Sequence, residues 1–137
     1  MTRIILISCV SKKLLHKAKA RDLYISPLFK MNLEYAKSLK PDKIFILSAN
    51  YGLISLDKEI ESYNKTLNTM RSKEVKEWAN KVMNHLGRIT DLRNDKFIFL
   101  AGDKYRKYLL PHIKNYKIPL QGLSIGRQLQ YLKEKTK

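Results

Sequence analysis

Three short clusters of small and polar residues in this chain combine side chains whose types and spacing could do chemistry. Ser8-Cys9-Val10-Ser11-Lys12-Lys13 combines hydroxyls, a thiol and two ammonium groups. Backbone N–H groups, hydroxyls and ammoniums in one turn suit a phosphate, although the glycines of a P-loop are missing. Neighbouring lysines raise the thiolate fraction of a cysteine, so Cys9 is a candidate nucleophile or substrate contact. The plainer reading of Cys9 is a small residue packed under the loop. Ser48-Ala49-Asn50-Tyr51-Gly52 is the second cluster. Asn50 offers a donor and an acceptor to the edge of a base, Tyr51 a face for stacking, and Gly52 a positive φ that would turn the chain back. Its plainer reading is a tight turn in which Asn50 caps and Tyr51 packs. Tyr63 is a second candidate for stacking or donating a hydroxyl. In Ala101-Gly102-Asp103, the acid either caps a helix or orients water and positive charge. His16, His85 and His112 have no metal-ligand spacing, and neither a metal nor a cofactor is expected.

Each cluster ends an apolar run: Ile4-Ile5-Leu6-Ile7, Ile44-Phe45-Ile46-Leu47 and Phe97-Ile98-Phe99-Leu100. Continuous short apolar runs suit strands buried on both faces, and intervening helical patterns make such strands parallel. A helix is predicted from Ser26-Pro27 to about Leu39, with Ser26 as N-cap and Pro27 at its first position. A second runs from Ser72 to about Leu86, stopped by Gly87. A short helix from Lys104 to Leu110, a strand from Lys117 to Leu120 and a helix from Ile125 to Lys135 complete the chain. The stretch from Asn50 to Thr69 shows only weak periodicity and reads as a long functional loop. The expected fold is a single α/β domain over residues 1–137, three-layered, with a mostly parallel sheet of about four strands flanked by helices. Ligands of such sheets bind outside the carboxyl ends of the strands, where the three clusters converge.

Charge narrows the ligand. The 137 residues hold 28 Lys and Arg against 12 Asp and Glu, a net charge of +16. The cations are segregated: Lys12, Lys13, Lys17, Lys19 and Arg21 form one stretch without an acid, and Lys104 to Lys133 forms another. Both begin just past a strand end, which favours a face for a polyanion over a uniformly basic surface. One cysteine excludes an internal disulfide and fits a reducing compartment. No apolar run has the length of a signal peptide core or a membrane span, so a cytoplasmic protein without membrane contact is expected.

Taken together, several motifs resemble those of the small bacterial and viral domain-of-unknown-function family 6884. These are Ile7-Ser8-Cys9 with Lys12-Lys13, Ala20 to Phe29 including Tyr24, and Ile46 to Leu53 with Tyr63 and Thr66-Leu67. Ala101-Gly102-Asp103-Lys104-Tyr105 and Pro119 to Leu129 complete the likeness, which spans nearly the whole chain. It adds Tyr24 and Tyr105 to the candidate site without assigning an activity. More remotely, Leu47 to Tyr63 is similar to a segment of the YaaA peroxide-stress proteins, which bind DNA. Ser62 stands where those proteins have proline. The Ser8-Cys9…Lys12 and Ser48…Gly52-Leu53 pair also resembles motifs of an archaeosine synthase domain acting on a modified tRNA base, although here the serine precedes the cysteine.

The leading expectation is an enzyme that binds nucleic acid, DNA rather than RNA, and acts on a base or nucleoside at the N-glycosidic bond. Asn50, Asp103 and Cys9 would serve catalysis. Ser8, Ser11, Lys12, Lys13, Tyr24, Ser48, Tyr51, Gly52, Tyr63, Gly102, Lys104, Tyr105 and Arg106 would bind the substrate. Two other readings stand beside it: a non-catalytic DNA-binding stress or genome-protection protein, and a small-molecule nucleotide or nucleoside hydrolase or transferase.

Overall fold

The computed structural model describes residues 2–8 and 12–136. Cys9 and Ser11 lie outside the described residues. Among the described residues, seven strands and five helices follow in order: β1 Arg3–Ser8, β2 Ala18–Lys19, α1 Ala20–Leu23, α2 Pro27–Ser38, β3 Lys43–Ser48, β4 Gly52–Ser55, β5 Glu59–Ile60, α3 Ser72–Ile89, β6 Lys96–Leu100, α4 Asp103–Arg106, β7 Tyr116–Lys117 and α5 Ile125–Lys135. The main sheet has five strands in the order β4-β3-β1-β6-β7, and β2 pairs with β5 apart from it. In the main sheet β1 runs parallel to both β3 and β6 and β6 parallel to β7, while β4 is antiparallel to β3. No helix among the described residues is long and apolar enough to cross a membrane.

The apolar runs become central strands because helices cover both faces. Along β1, Ile4 and Leu6 join one core with Trp78, Val82 and Leu86 of α3. Ile5 and Ile7 join the opposite core with Phe29 and Ala36 of α2 and Leu132 of α5. Alternate residues of a strand point to opposite faces, so a strand sandwiched between helices must be apolar throughout. The architecture is therefore a three-layer α/β domain. Ser26 caps α2 as its position before Pro27 suggests, accepting a hydrogen bond from the Phe29 N–H at 3.2 Å. On the same side Tyr35 of α2 meets Tyr131 of α5 edge-on at 6.0 Å. Burial and the Tyr131 hydroxyl raise the Tyr35 pKa to about 12.

Four local expectations are corrected. The Asn50–Thr69 stretch is not simply a loop: Leu53 and Ile54 are buried in β4, a strand that turns back along β3 with Ser48 opposite Gly52. A four-residue strand is too short to show periodicity in sequence. Gly52 has φ of 74°, the left-handed conformation that glycine adopts without cost. Gly87 does not end α3, which runs on to Ile89, and the helix begins after Arg71 rather than with Ser72 as its cap. The Glu74 carboxylate accepts the Arg71 N–H at 3.3 Å, which helps to satisfy that end. The helix expected to reach Leu110 stops at Arg106. Pro111 lies within the short 3-10 turn Leu110–His112.

A methyl group on Gly87 would rest 3.5 Å from Leu92 Cδ1, an ordinary contact. Gly87→Ala is therefore expected to stabilise the protein by about 0.5–1 kcal/mol, the usual difference between alanine and glycine within a helix. A urea titration showing destabilisation would mean that Gly87 serves the structure in some other way.

Candidate functional site at the carboxyl edge of the sheet

Because β3 and β6 flank β1, the chain leaves β1 toward one side through α2 and later crosses to the other through α3. Strand order thus reverses between β1 and β6, and the crevice outside the carboxyl ends at such a point is the usual ligand site of open α/β sheets. A cavity of about 360 Å³ lies there. Ser8 ends β1, and its Oγ accepts the Gly102 N–H at 3.1 Å, which joins the first and third clusters directly. Leu100, Ala101, Gly102 and Asp103 supply the wall on the β6 side. Leu28, Phe29 and Asn32 of α2 face them, and Ile125 and Gln128 of α5 close the remaining side.

Its walls are mostly apolar, with charge concentrated on α4. Among the described residues lining the cavity, Asp103 is the one carboxylate, and its side chain is 77% exposed. The Arg106 guanidinium lies 3.9 Å from the Asp103 carboxylate with only 14% of its side chain exposed. It also donates to the Ala101 carbonyl at 2.6 Å, which fixes the cation against the end of β6. Lys104 Nζ donates to the Asn68 carbonyl at 3.2 Å and holds the neighbouring loop across the cavity. Tyr105 is buried, and its hydroxyl accepts the Leu67 N–H at 3.4 Å. Asp103 is the first residue of α4, and Gly102 occupies the cap position where the sequence had allowed Asp103.

The second cluster is organised by Ser48. Its Oγ donates to the Tyr63 hydroxyl at 2.9 Å and accepts the N–H groups of Tyr51 at 3.0 Å and Asn50 at 3.3 Å. Its carbonyl accepts the indole N–H of Trp78 at 2.8 Å. The Tyr63 hydroxyl also bonds that of Tyr24 at 2.6 Å. Lys13 Nζ sits 4.5 Å from the centre of the Tyr63 ring, a cation–π contact. Tyr51 meets Tyr63 edge-on, and its hydroxyl bridges the backbone N–H and carbonyl of Glu61. Tyr24 and Tyr63 thus join the basic loop to the end of β3 within the protein, where the sequence had offered Tyr63 as a stacking face for a base.

Asn50 and Asp103 are not brought together. Asn50, Tyr51 and Gly52 line a second cavity of about 290 Å³ against α3, beside Trp78 and His85. Of the expected site residues, Ser8, Gly102, Asp103, Lys104, Tyr105 and Arg106 share the first cavity. Lys12 is exposed.

Asn32 was missed by sequence reasoning. It is 3% exposed, lines the first cavity, and its Oδ1 has no hydrogen-bond partner. The signal was an amide within the apolar stripe of α2, between Phe29 and Ala36. Gln128 was missed as well, because α5 reads as an ordinary amphipathic helix. Its Nε2 donates to the Leu123 carbonyl at 2.9 Å, which anchors the segment that closes the cavity.

Among known proteins, no curated protein and no solved structure matches the chain. The likenesses to the peroxide-stress proteins and to the archaeosine synthase domain therefore rest on sequence motifs alone. The model of a family of unknown function, DUF6884, matches residues 4–134, from the start of the central strand to the last turn of α5. The chain belongs to this family.

Proposed function

We propose that this protein binds nucleic acid across the basic carboxyl edge of its sheet and admits a base or nucleoside to the cavity between β1 and β6, acting at its N-glycosidic bond. The observation that carries the reading is the cavity itself. Apolar walls suit a flat heterocycle, while a carboxylate and two cations on α4 suit the sugar and phosphate that follow it. A base in a duplex reaches such a pocket only after leaving the stack, and the energy of unstacking is offset by contacts to the walls. The net charge of +16 supplies attraction for the backbone. In this reading Asp103 positions water or stabilises positive charge developing on the sugar.

Binding to short single- and double-stranded oligonucleotides is expected to weaken steeply with salt, the logarithm of the affinity falling by about 0.9 per duplex phosphate neutralised. Lys12→Glu combined with Arg127→Glu, both exposed positions, should flatten that slope. Base release from oligonucleotides carrying modified or damaged bases tests the catalytic half. Salt-dependent binding without any base release would leave a binding pocket and remove the catalysis. A protein that binds no oligonucleotide at low salt would overturn the proposal.

A further inference from the structure

An asparagine with an unpartnered amide oxygen is unusual inside a close-packed helix layer. Burying an amide group without a partner is unfavourable, and nearly all buried polar side-chain atoms in folded proteins are satisfied. Among the described residues, two buried side-chain atoms lack a partner: Arg21 Nε and Asn32 Oδ1. The first has a plain setting, since the same guanidinium pairs with Asp57 at 2.7 Å near the surface. Asn32 has no such setting. It sits on the face of α2 that borders the cavity, one turn beyond Leu28 and Phe29. Leucine would fill the position without the unfavourable burial of an amide.

We propose that the Asn32 carboxamide is the base-recognising group of this cavity. The oxygen is enclosed at the cavity wall, and a turn of the carboxamide about its Cβ–Cγ bond lets it accept an N–H from the edge of a nucleobase while the nitrogen donates to the ring acceptor beside that N–H. An amide offers one acceptor next to one donor, the complement of the donor–acceptor pair on a base edge. The apolar walls hold the ring, and the cations on α4 line the same cavity, within reach of a sugar and phosphate attached to it. This inference rests on reading the cavity as a base pocket, but it requires no catalysis and no long nucleic acid.

The probes are the four ribonucleoside 5′-monophosphates, titrated into the full chain and followed by calorimetry and by the side-chain amide resonances of Asn32. At least one monophosphate is expected to bind and to shift those resonances. Asn32→Leu is expected to weaken that binding by about 10- to 100-fold without lowering the melting temperature, because it removes an unpaired polar group. A merely structural asparagine would show the opposite pattern, with melting affected and affinity kept. Equal affinity in the wild type and Asn32→Leu would overturn the inference. So would a wild-type protein that binds none of the four monophosphates while still binding oligonucleotides, a result that leaves the nucleic-acid reading standing. Asn32-dependent binding of a monophosphate by a protein that ignores oligonucleotides would support Asn32 and sink the wider proposal. Should Asn32→Leu fail to fold, the wild-type amide resonances decide: no shift on adding any monophosphate overturns the assignment.

Discussion

Asp103→Asn is expected to slow base release by about 10²- to 10³-fold while leaving oligonucleotide affinity within a factor of a few. Asparagine keeps the size and hydrogen-bonding reach of the side chain and removes only its charge. Among the described residues lining the cavity no second carboxylate stands by to replace it. A pair of carboxylates flanking the scissile bond, the arrangement of most sugar hydrolases, is therefore not available within these walls. Under the proposed reading, catalysis would fall to one carboxylate that orients water or faces the cationic sugar, held near a fixed arginine. Stability should change by less than about 0.5 kcal/mol, because the side chain is largely exposed and its ion pair with Arg106 is long at 3.9 Å. Single-turnover base release and melting, measured on the same preparation, separate the two effects. Undiminished release from Asp103→Asn would strip the residue of a catalytic role.

Trp78→Ala is expected to cost about 3–5 kcal/mol, a large share of the 5–15 kcal/mol that keeps a domain folded. The indole is buried, stands edge-on to Tyr105 at 5.7 Å, and donates to the Ser48 carbonyl at 2.8 Å. Truncation opens a void in the α3 core and leaves a carbonyl at the end of β3 without its donor. For a chain of this length the melting temperature should fall by roughly 10–20 °C. Trp78→Phe, which loses the hydrogen bond but keeps most of the ring, should cost only about 1–2 kcal/mol. If thermal unfolding put Trp78→Ala within about 1 kcal/mol of the wild type, the indole would not be the tie between helix and strand end.

The central layer of the fold was legible because its signal is strong and local. Four apolar residues in β1 and a Ser-Pro helix start need no distant partner to be recognised. β4 was not legible, since Gly52–Ser55 becomes a strand only by pairing with β3. Gly87 misled for a related reason: a glycine reads as a stop, yet packing of α3 on the sheet carries the helix past it. The convergence of Ser8 with Gly102 followed from topology. The separation of Asn50 from Asp103 did not, because sequence places both at strand ends without saying on which side of the sheet each cavity opens. Asn32 is the opposite case, hidden by its neighbours: a single amide in an apolar stripe matters only once a cavity is seen beside it.

The flanks of the main sheet have a consequence for how copies of the protein behave toward one another. Its outermost strands are four residues long at β4 and two residues long at β7. Strands that short give an incoming chain few unpaired backbone groups to bind, so edge-to-edge growth has little to start from. Beside β7, Lys117 and Arg3 lower the Lys96 pKa by repulsion, which marks a concentration of like charge that a second molecule would have to approach. Short outer strands on both flanks, with like charge gathered beside β7, thus set a barrier to the protein stacking on itself.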